Sequence, residues 1–470
     1  MERSTAILLT LLAYLIGLLV LGWIARQRTH DATGFYLGGK TLGPWVTALA
    51  ANASSSSAWS LVGTSGFAYL HGLSALWLVP GCVGGFVINW FLVAPRLRLA
   101  TGDSVTLTEF LAGPKDQKGH RAVVVAASLL TLASLLTYVA AQMQAAGSGF
   151  AHAFDADPRL GIAIGALVTV AYTLMGGYLA ASITDTLQGL LMVAVAVLVP
   201  VAAVLHLGGV EAFVTAVSAL EVPGYQSPFG TREGLAAAGF AMGLCGIGLG
   251  YPGQPHAVNK FMGMAPDASM TVARAVGMSW AVLLYSGMIV LGWAVRVAWP
   301  LGEGNHEDAI YEASRHLFPP LVDGIILAAV LAAIMSTVDS QLLTCASCVT
   351  HDLGFAGKTE AGMLRTARGT VLAIGLLATV AALLLPSDVF NNVMFAWAAL
   401  GSAFGPLLLV RLWCGAVAPP WALAAMLVGG GGAIVGFYVP LAAAGFADRV
   451  VAWLASGVVA WIGSVRTVRR

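Results

Sequence analysis

ANASSSSAWS, residues 51–60, sets four consecutive serines inside a segment that is otherwise lipid-compatible, from PWVTALA before it to LVGTSGFAYL after it. A serine hydroxyl can return a hydrogen bond to a helix carbonyl, so a few of them in a membrane helix cost little. Four in a row also compete with the backbone ladder, and a break in the helix becomes the expectation.

Composition fixes the solvent. Of 470 residues, 58% are hydrophobic and 10% charged, with mean hydropathy +0.84; a soluble domain is usually near 25% charged. The chain reads as a polytopic membrane protein, with the lipid bilayer as its partner. Net charge is +1, and no basic tract with interleaved aromatics suggests nucleic acid. Cys82, Cys245, Cys345, Cys348 and Cys414 all sit in apolar surroundings, as packing residues and not as a disulfide framework. TAILLTLLAYLIGLLVLGWIA near the N-terminus is too long for a signal-peptide core and reads as a first span.

Apolar runs of about 20 residues give some thirteen spans, near 5–24, 45–70, 74–94, 122–150, 160–178, 183–206, 234–252, 273–298, 319–346, 367–386, 390–411, 418–440 and 446–465. With the N-terminus outside, the inner segments hold 17 of the 23 Lys and Arg residues. That bias predicts an outer N-terminus and a cytoplasmic C-terminus. The outer segments FDADP, EGNHEDAIYE and PSD collect acid instead. No linker marks a second domain, so residues 1–470 read as one transmembrane unit in the plasma membrane.

Two spans are poor continuous helices. The second carries the serines; the seventh, AGFAMGLCGIGLGYPGQPH, carries Gly243, Gly246, Gly248, Gly250 and Gly253 with Pro252 and Pro255. In a helix interior, glycine costs roughly 1 kcal/mol relative to alanine and proline roughly 3. They lie five spans apart. Interrupted helices at corresponding places in two halves of a membrane chain point to an inverted-repeat transporter with its site near the midplane. The alternative is that small residues merely let helices pack closely.

The ninth span, LAAVLAAIMSTVDSQLLTCASCVTHDL, residues 327–353, favours the site. At 100° per residue, Ser336, Ser340 and Ser347 fall within about 40° of one another, with Thr337 and Thr344 at the stripe's edge and Asp339 beside it. A mid-membrane carboxylate costs roughly 2.5–3.5 kcal/mol and normally faces a partner or a wet cavity. Asp185, in AASITDTLQGLL, is the one comparable acid. Neither span carries a nearby Lys or Arg, so a hard monovalent cation held by hydroxyls, freed carbonyls and carboxylate is the expected counter-charge, and sodium fits. The alternatives are a protonated Asp339 bonded to a neighbouring helix and Asp185 as a helix cap.

GFYLGGKTLGPWVTALAANASSSSAW, INWFLVAPRLR, YTLMGGYLAASITDTLQ, GLGYPGQPHAVNKFM and AAIMSTVDSQLLTCASCVTHDL together resemble the sodium:solute symporter family, above all its sodium/proline symporters, over about residues 30–410. The resemblance implies an all-α, leucine-transporter-like fold: two inverted five-helix repeats, about 44–206 and 234–411, with helices two and seven broken and extra helices at about 5–24, 418–440 and 446–465. It implies a first sodium site from the backbone carbonyls of Ala53, Ser56 and Ala333 with the hydroxyls of Ser336 and Thr337. It also implies a possible second one near Asp185, Ser336, Asp339 and Ser340, where Asp339 stands in place of a frequent serine. Ser57, Tyr138 and Tyr251 match solute-contacting positions of proline carriers. Ser55 and Ile247 depart from them, since an aspartate and a tryptophan are typical there, which admits another amino acid or a small carboxylate.

The implied activity is sodium-coupled import by alternating access, not catalysis. GTSG at Gly63–Gly66 matches an intramembrane-protease pattern, but His71 and His256 fall near span ends on opposite sides. Cys345, Cys348 and His351 lack a fourth metal ligand. A transporter-like sensor would need an appended signalling domain, and with the chain ending at SVRTVRR none is expected. The sequence says nothing about oligomeric state.

Overall fold

Proline and serine set the limits of the helix that matters most. In the computed structural model, Gly43 is extended, Pro44 takes the first helical position, and the helix runs Pro44–Ser55. At Ser56 the backbone leaves helical space (φ −124°, ψ 86°), and its N–H turns back to Ala53 O at 3.2 Å. Ser57 is also non-helical, and the chain recoils from Ala58, whose N–H is taken by the Gln142 side-chain oxygen at 3.0 Å. All four serines are buried. The broken backbone is therefore enclosed by protein, the condition under which a break at membrane depth is tolerated.

The structure describes residues 2–26, 40–100, 104–175, 178–302, 306–355, 359–385, 389–439 and 447–468. Residues 27–39 of the first inner segment and PSD at 386–388 lie outside them. The main helices are α1 (Arg3–Arg26), α2 (Pro44–Ser55), α3 (Thr64–His71), α4 (Leu78–Val87), α5 (Leu107–Ala112), α6 (His120–Phe154), α7 (Pro158–Met175) and α8 (Tyr178–His206). They continue with α9 (Gly234–Gly246), α10 (Pro255–Met262), α11 (Met270–Ala298), α12 (Pro320–Ser347), α13 (Glu360–Leu384), α14 (Val389–Trp413), α15 (Pro419–Tyr438) and α16 (Ala452–Val468). The described residues contain no named strand, only an isolated bridge between Leu42 and Met264.

Among the described residues, eleven helical runs are long and apolar enough to cross a membrane, against the thirteen expected. The difference has two sources: residues 59–100 form one run of 42 residues turning at Gly72 (φ +56°), and the apolar part of α7, Pro158–Leu174, is short. Burial separates centre from periphery. In the apolar windows of Pro320–Asp352 and Val389–Trp413, 78% and 83% of residues are buried, against 17% in Arg3–Ile24. α12 and α14 therefore form the spine, and α2 packs on α8, α11 and α12.

The seventh span breaks as its glycines and prolines dictate. α9 ends at Gly246, a 3-10 turn covers Ile247–Gly253, Gln254 is extended, and Pro255 restarts the helix as α10. Its freed carbonyls find donors: Trp397 Nε1 bonds Ile247 O at 3.1 Å, Asn89 Nδ2 bonds Tyr251 O at 3.4 Å, and Gln254 Nε2 bonds Gly250 O at 3.2 Å. The approach to α14 is backbone against backbone. A Cβ on Gly253 would sit 2.5 Å from Gly401 Cα and 2.6 Å from Leu400 O. Gly253→Ala is expected to cost about 1–3 kcal/mol, typical of overpacking, read as a lowered melting temperature of the purified protein.

α5 is tied to the far end of the α12 run by a polar latch. Glu109 meets Lys115 at 2.6 Å and His351 at 3.2 Å, while Thr106 Oγ1 donates to Asp352 at 2.7 Å. Burial pushes the Glu109 carboxyl up, but the donors from His351, Lys115 and the Val105 N–H outweigh it and hold it down to about 2. Its ordinary value is 4.5, so the latch contributes its full stability above that pH and loses it as pH falls toward about 2. The melting temperature of the wild type is expected to fall more steeply between about pH 5 and pH 3 than that of Glu109→Gln.

Candidate functional site

The break in α2 lies against the hydroxyl-bearing face of α12. Ser336 Oγ lies 3.3 Å from Ala53 O and 3.3 Å from Ala333 O, and Thr337 Oγ1 lies 3.4 Å from Ala53 O. All four residues are fully buried. Ser56 Oγ, at the break itself, lies 3.4 Å from the Tyr285 hydroxyl, which also meets Ser60 Oγ at 3.1 Å and the Tyr251 hydroxyl at 2.7 Å. Oxygens from two elements 283 residues apart thus converge on the carbonyl of Ala53.

A second group forms at Ser57, the next residue of the break. Tyr138 from α6 donates to Ser57 Oγ at 3.2 Å. Its ring faces Trp397 at a centroid distance of 6.3 Å, and Tyr251 faces the same indole at 4.7 Å. Ile247 is fully buried and held through its carbonyl by Trp397. Ser57, Tyr138, Tyr251 and Ile247 are therefore gathered around one tryptophan. Ser55 is not joined to them: its hydroxyl folds back on Asn52 O at 3.0 Å.

The acids part company. Asp185 belongs to a third group, in which Ser54 Oγ donates to Asp185 Oδ2 at 3.2 Å and meets Ser340 Oγ at 3.0 Å. Asp339 points elsewhere, into a small cavity lined by Leu19 and Gly22 of α1, Tyr172 and Thr173 of α7, and Ala180 and Ala181 of α8. Neither of its oxygens meets a donor with hydrogen-bond geometry. The expectation that both acids lack a protein counter-charge is corrected for Asp185: Lys260 Nζ of α10 lies 2.8 Å from Asp185 Oδ2, both side chains being buried. Lys260 reads in sequence as part of an inner loop, outside the two spans that carry the acids.

Three side chains of this candidate site do not figure in the sequence reading. Trp397 carries a recognisable signal, since a buried indole N–H needs an acceptor and broken helices have carbonyls to spare. Gln142, capping the recoil at Ala58, and Lys260 carry none that the local pattern shows.

A chain of buried, interrupted helices with carbonyls and hydroxyls converging at the breaks defines a secondary transporter. The fold agrees. It superposes on a sodium-coupled sialic acid symporter solved in a substrate-bound outward-open state (TM-score 0.81, 17% identity, 99% of this chain and 98% of that one). It also superposes on Mhp1, a nucleobase-cation-symport-1 family transporter closed around bromovinylhydantoin (TM-score 0.54, 15% identity, 94% and 95%). The fold is leucine-transporter-like. Residues 35–429 match the model of the sodium:solute symporter family, and the chain belongs to that family. It is a transporter, not an enzyme. Its relatives include the osmoregulated proline transporter OpuE of Bacillus subtilis, 37% identical over 91% of this chain and 87% of that one. The sodium/proline symporter of Escherichia coli is 35% identical over the same shares.

Proposed function

We propose that this protein imports a small solute, proline first, together with sodium across the plasma membrane by alternating access, with its N-terminus outside and its C-terminus in the cytoplasm. The observation that carries the reading is the convergence of the Ser336 and Thr337 hydroxyls on Ala53 O at the break of α2, with Ala333 O against the same Ser336 hydroxyl. The oxygen separations of 3.3–3.4 Å are long for O–H···O hydrogen bonds, which cluster at about 2.7–2.8 Å. They match the edge of an oxygen shell around a hard cation: ligands about 2.4 Å from an ion and at right angles stand about 3.4 Å apart. Ala53, Ser56 and Ala333 would supply carbonyls to sodium, and Ser336 and Thr337 hydroxyls. α2 and α12 are then bridged when the ion is bound, which makes the outward form competent for solute.

The solute would bind at Ser57, Tyr138, Tyr251 and Ile247 beside Trp397. The curated relatives named for proline transport, at 34–37% identity, support that solute. Ser55, bonded to its own helix, and the aliphatic Ile247 leave room for other amino acids or small carboxylates. Energetics permit uphill import: one charge through 100 mV supplies about 2.3 kcal/mol and a tenfold sodium gradient about 1.4, together several hundredfold accumulation per ion.

The test is uptake of labelled proline, other small amino acids and small carboxylates into proteoliposomes. Proline accumulation under an inward sodium gradient, absent with potassium, is expected. Accumulation indifferent to sodium would overturn the reading, and uptake of another solute alone would replace proline.

A further inference from the structure

Beside the break of α2 stands an oxygen cradle that already holds a positive charge. Asp185 Oδ2 receives Lys260 Nζ at 2.8 Å and the Ser54 hydroxyl at 3.2 Å; Ser54 meets Ser340 at 3.0 Å, and Lys260 Nζ donates to Ser182 Oγ at 3.3 Å. The ammonium also lies 4.9 Å from the centre of the Tyr178 ring, within cation–π range. Lys260 is 1% exposed and Asp185 fully buried. A lysine is almost never this buried unless paired, and the charge it brings is the single positive charge that a sodium ion would bring. The polar groups come from four elements, α2, α8, α10 and α12.

We infer that Lys260 is a tethered cation: its ammonium fills the Asp185–Ser54–Ser340 cradle in place of a second ion, so this carrier takes up one sodium per cycle, at the Ala53 site. The inference rests on the sodium-coupled reading and deepens it by fixing the ion count. A covalently attached charge cannot be released to the cytoplasm. It neutralises Asp185 in every state of the cycle and contributes nothing to the gradient-driven work. Asp185 Oδ1 meets no donor, so one carboxylate oxygen remains to a mobile ion once the ammonium is removed. A small cavity lined by Tyr178, His256, Asn259, Ser340, Thr344 and Ser347 adjoins Lys260.

The test counts sodium itself. Saturation binding of radioactive sodium to the purified full-length protein is expected to give one ion per chain for the wild type and two for Lys260→Met, in which the freed carboxylate recruits an ion. One ion is expected again for the double variant Lys260→Met/Asp185→Asn, which removes both charges. Sodium should also raise the melting temperature of Lys260→Met more than that of the wild type. Two ions on the wild type, or one on a folded Lys260→Met, would overturn the tethered-cation assignment while leaving sodium coupling intact. No bound sodium on any of the three would overturn the coupled reading, and this inference with it. Where Lys260→Met is not recovered folded, the wild-type count decides: one supports the assignment and two refutes it.

Discussion

Thr337→Val is expected to raise the sodium concentration for half-maximal solute uptake by about 10- to 150-fold, and Ser336→Ala to do the same. Each change removes one oxygen from the group at Ala53 O, where Ser336 and Thr337 lie 3.3 and 3.4 Å from the carbonyl. A hydrogen-bonding contact to a charged group is worth about 1.5–3 kcal/mol, and every 1.4 kcal/mol is tenfold. Valine keeps the branched shape of threonine while losing its hydroxyl, so lost ligation and not lost packing dominates. Both positions are fully buried, so water cannot readily replace the missing ligand. Initial rates against sodium concentration in proteoliposomes measure the shift. The double variant should lose measurable sodium dependence, while residual solute binding without sodium stays as in the wild type.

The largest stability effect is expected at Asp185. Asp185→Leu strands the Lys260 ammonium, 2.8 Å from the carboxylate it now faces, in a buried place. Removing one partner of a buried pair costs about 3–5 kcal/mol, whereas replacing both with apolar groups of similar volume is often neutral. Asp185→Leu should therefore melt far below the wild type, and Asp185→Leu/Lys260→Met should recover most of the loss. Sodium separates the two halves of the pair. It can neutralise a stranded carboxylate but not a stranded ammonium, so added sodium should raise the melting temperature of Asp185→Leu by no more than that of the wild type, through the Ala53 site alone. Equal destabilisation of the single and double variants would show that the pair contributes only packing.

What could be read from the sequence was whatever is written locally. Serines 54–57 and the glycines and prolines between Gly243 and Pro255 act on their own backbone, and both breaks fall where those residues stand. The hydroxyl stripe of α12 follows from helical periodicity, and Ser336, Thr337 and Ser340 do face the break. The count of crossings differed where a turn at Gly72 joins two runs and where α7 is short. Pairings between distant segments were not legible. Lys260 lies 75 residues from Asp185 in sequence, and Trp397 lies 150 from Ile247. No local pattern assigns one to the other. The direction of a side chain was equally hidden: Asp339 and Ser340 are adjacent, yet one faces a cavity against α1 and α7 and the other faces Ser54.

Ion density in an electron cryo-microscopy map of the purified protein, recorded in sodium and again in a bulky organic cation, tests the central claim most directly. In sodium, a peak is expected about 2.3–2.6 Å from the oxygens of Ala53, Ala333, Ser336 and Thr337, the range for oxygen ligands of a hard cation of this size, and it should vanish on exchange. A map with residues 51–60 as unbroken helix, or with the oxygens closed on one another and no sodium-dependent peak, would contradict the account.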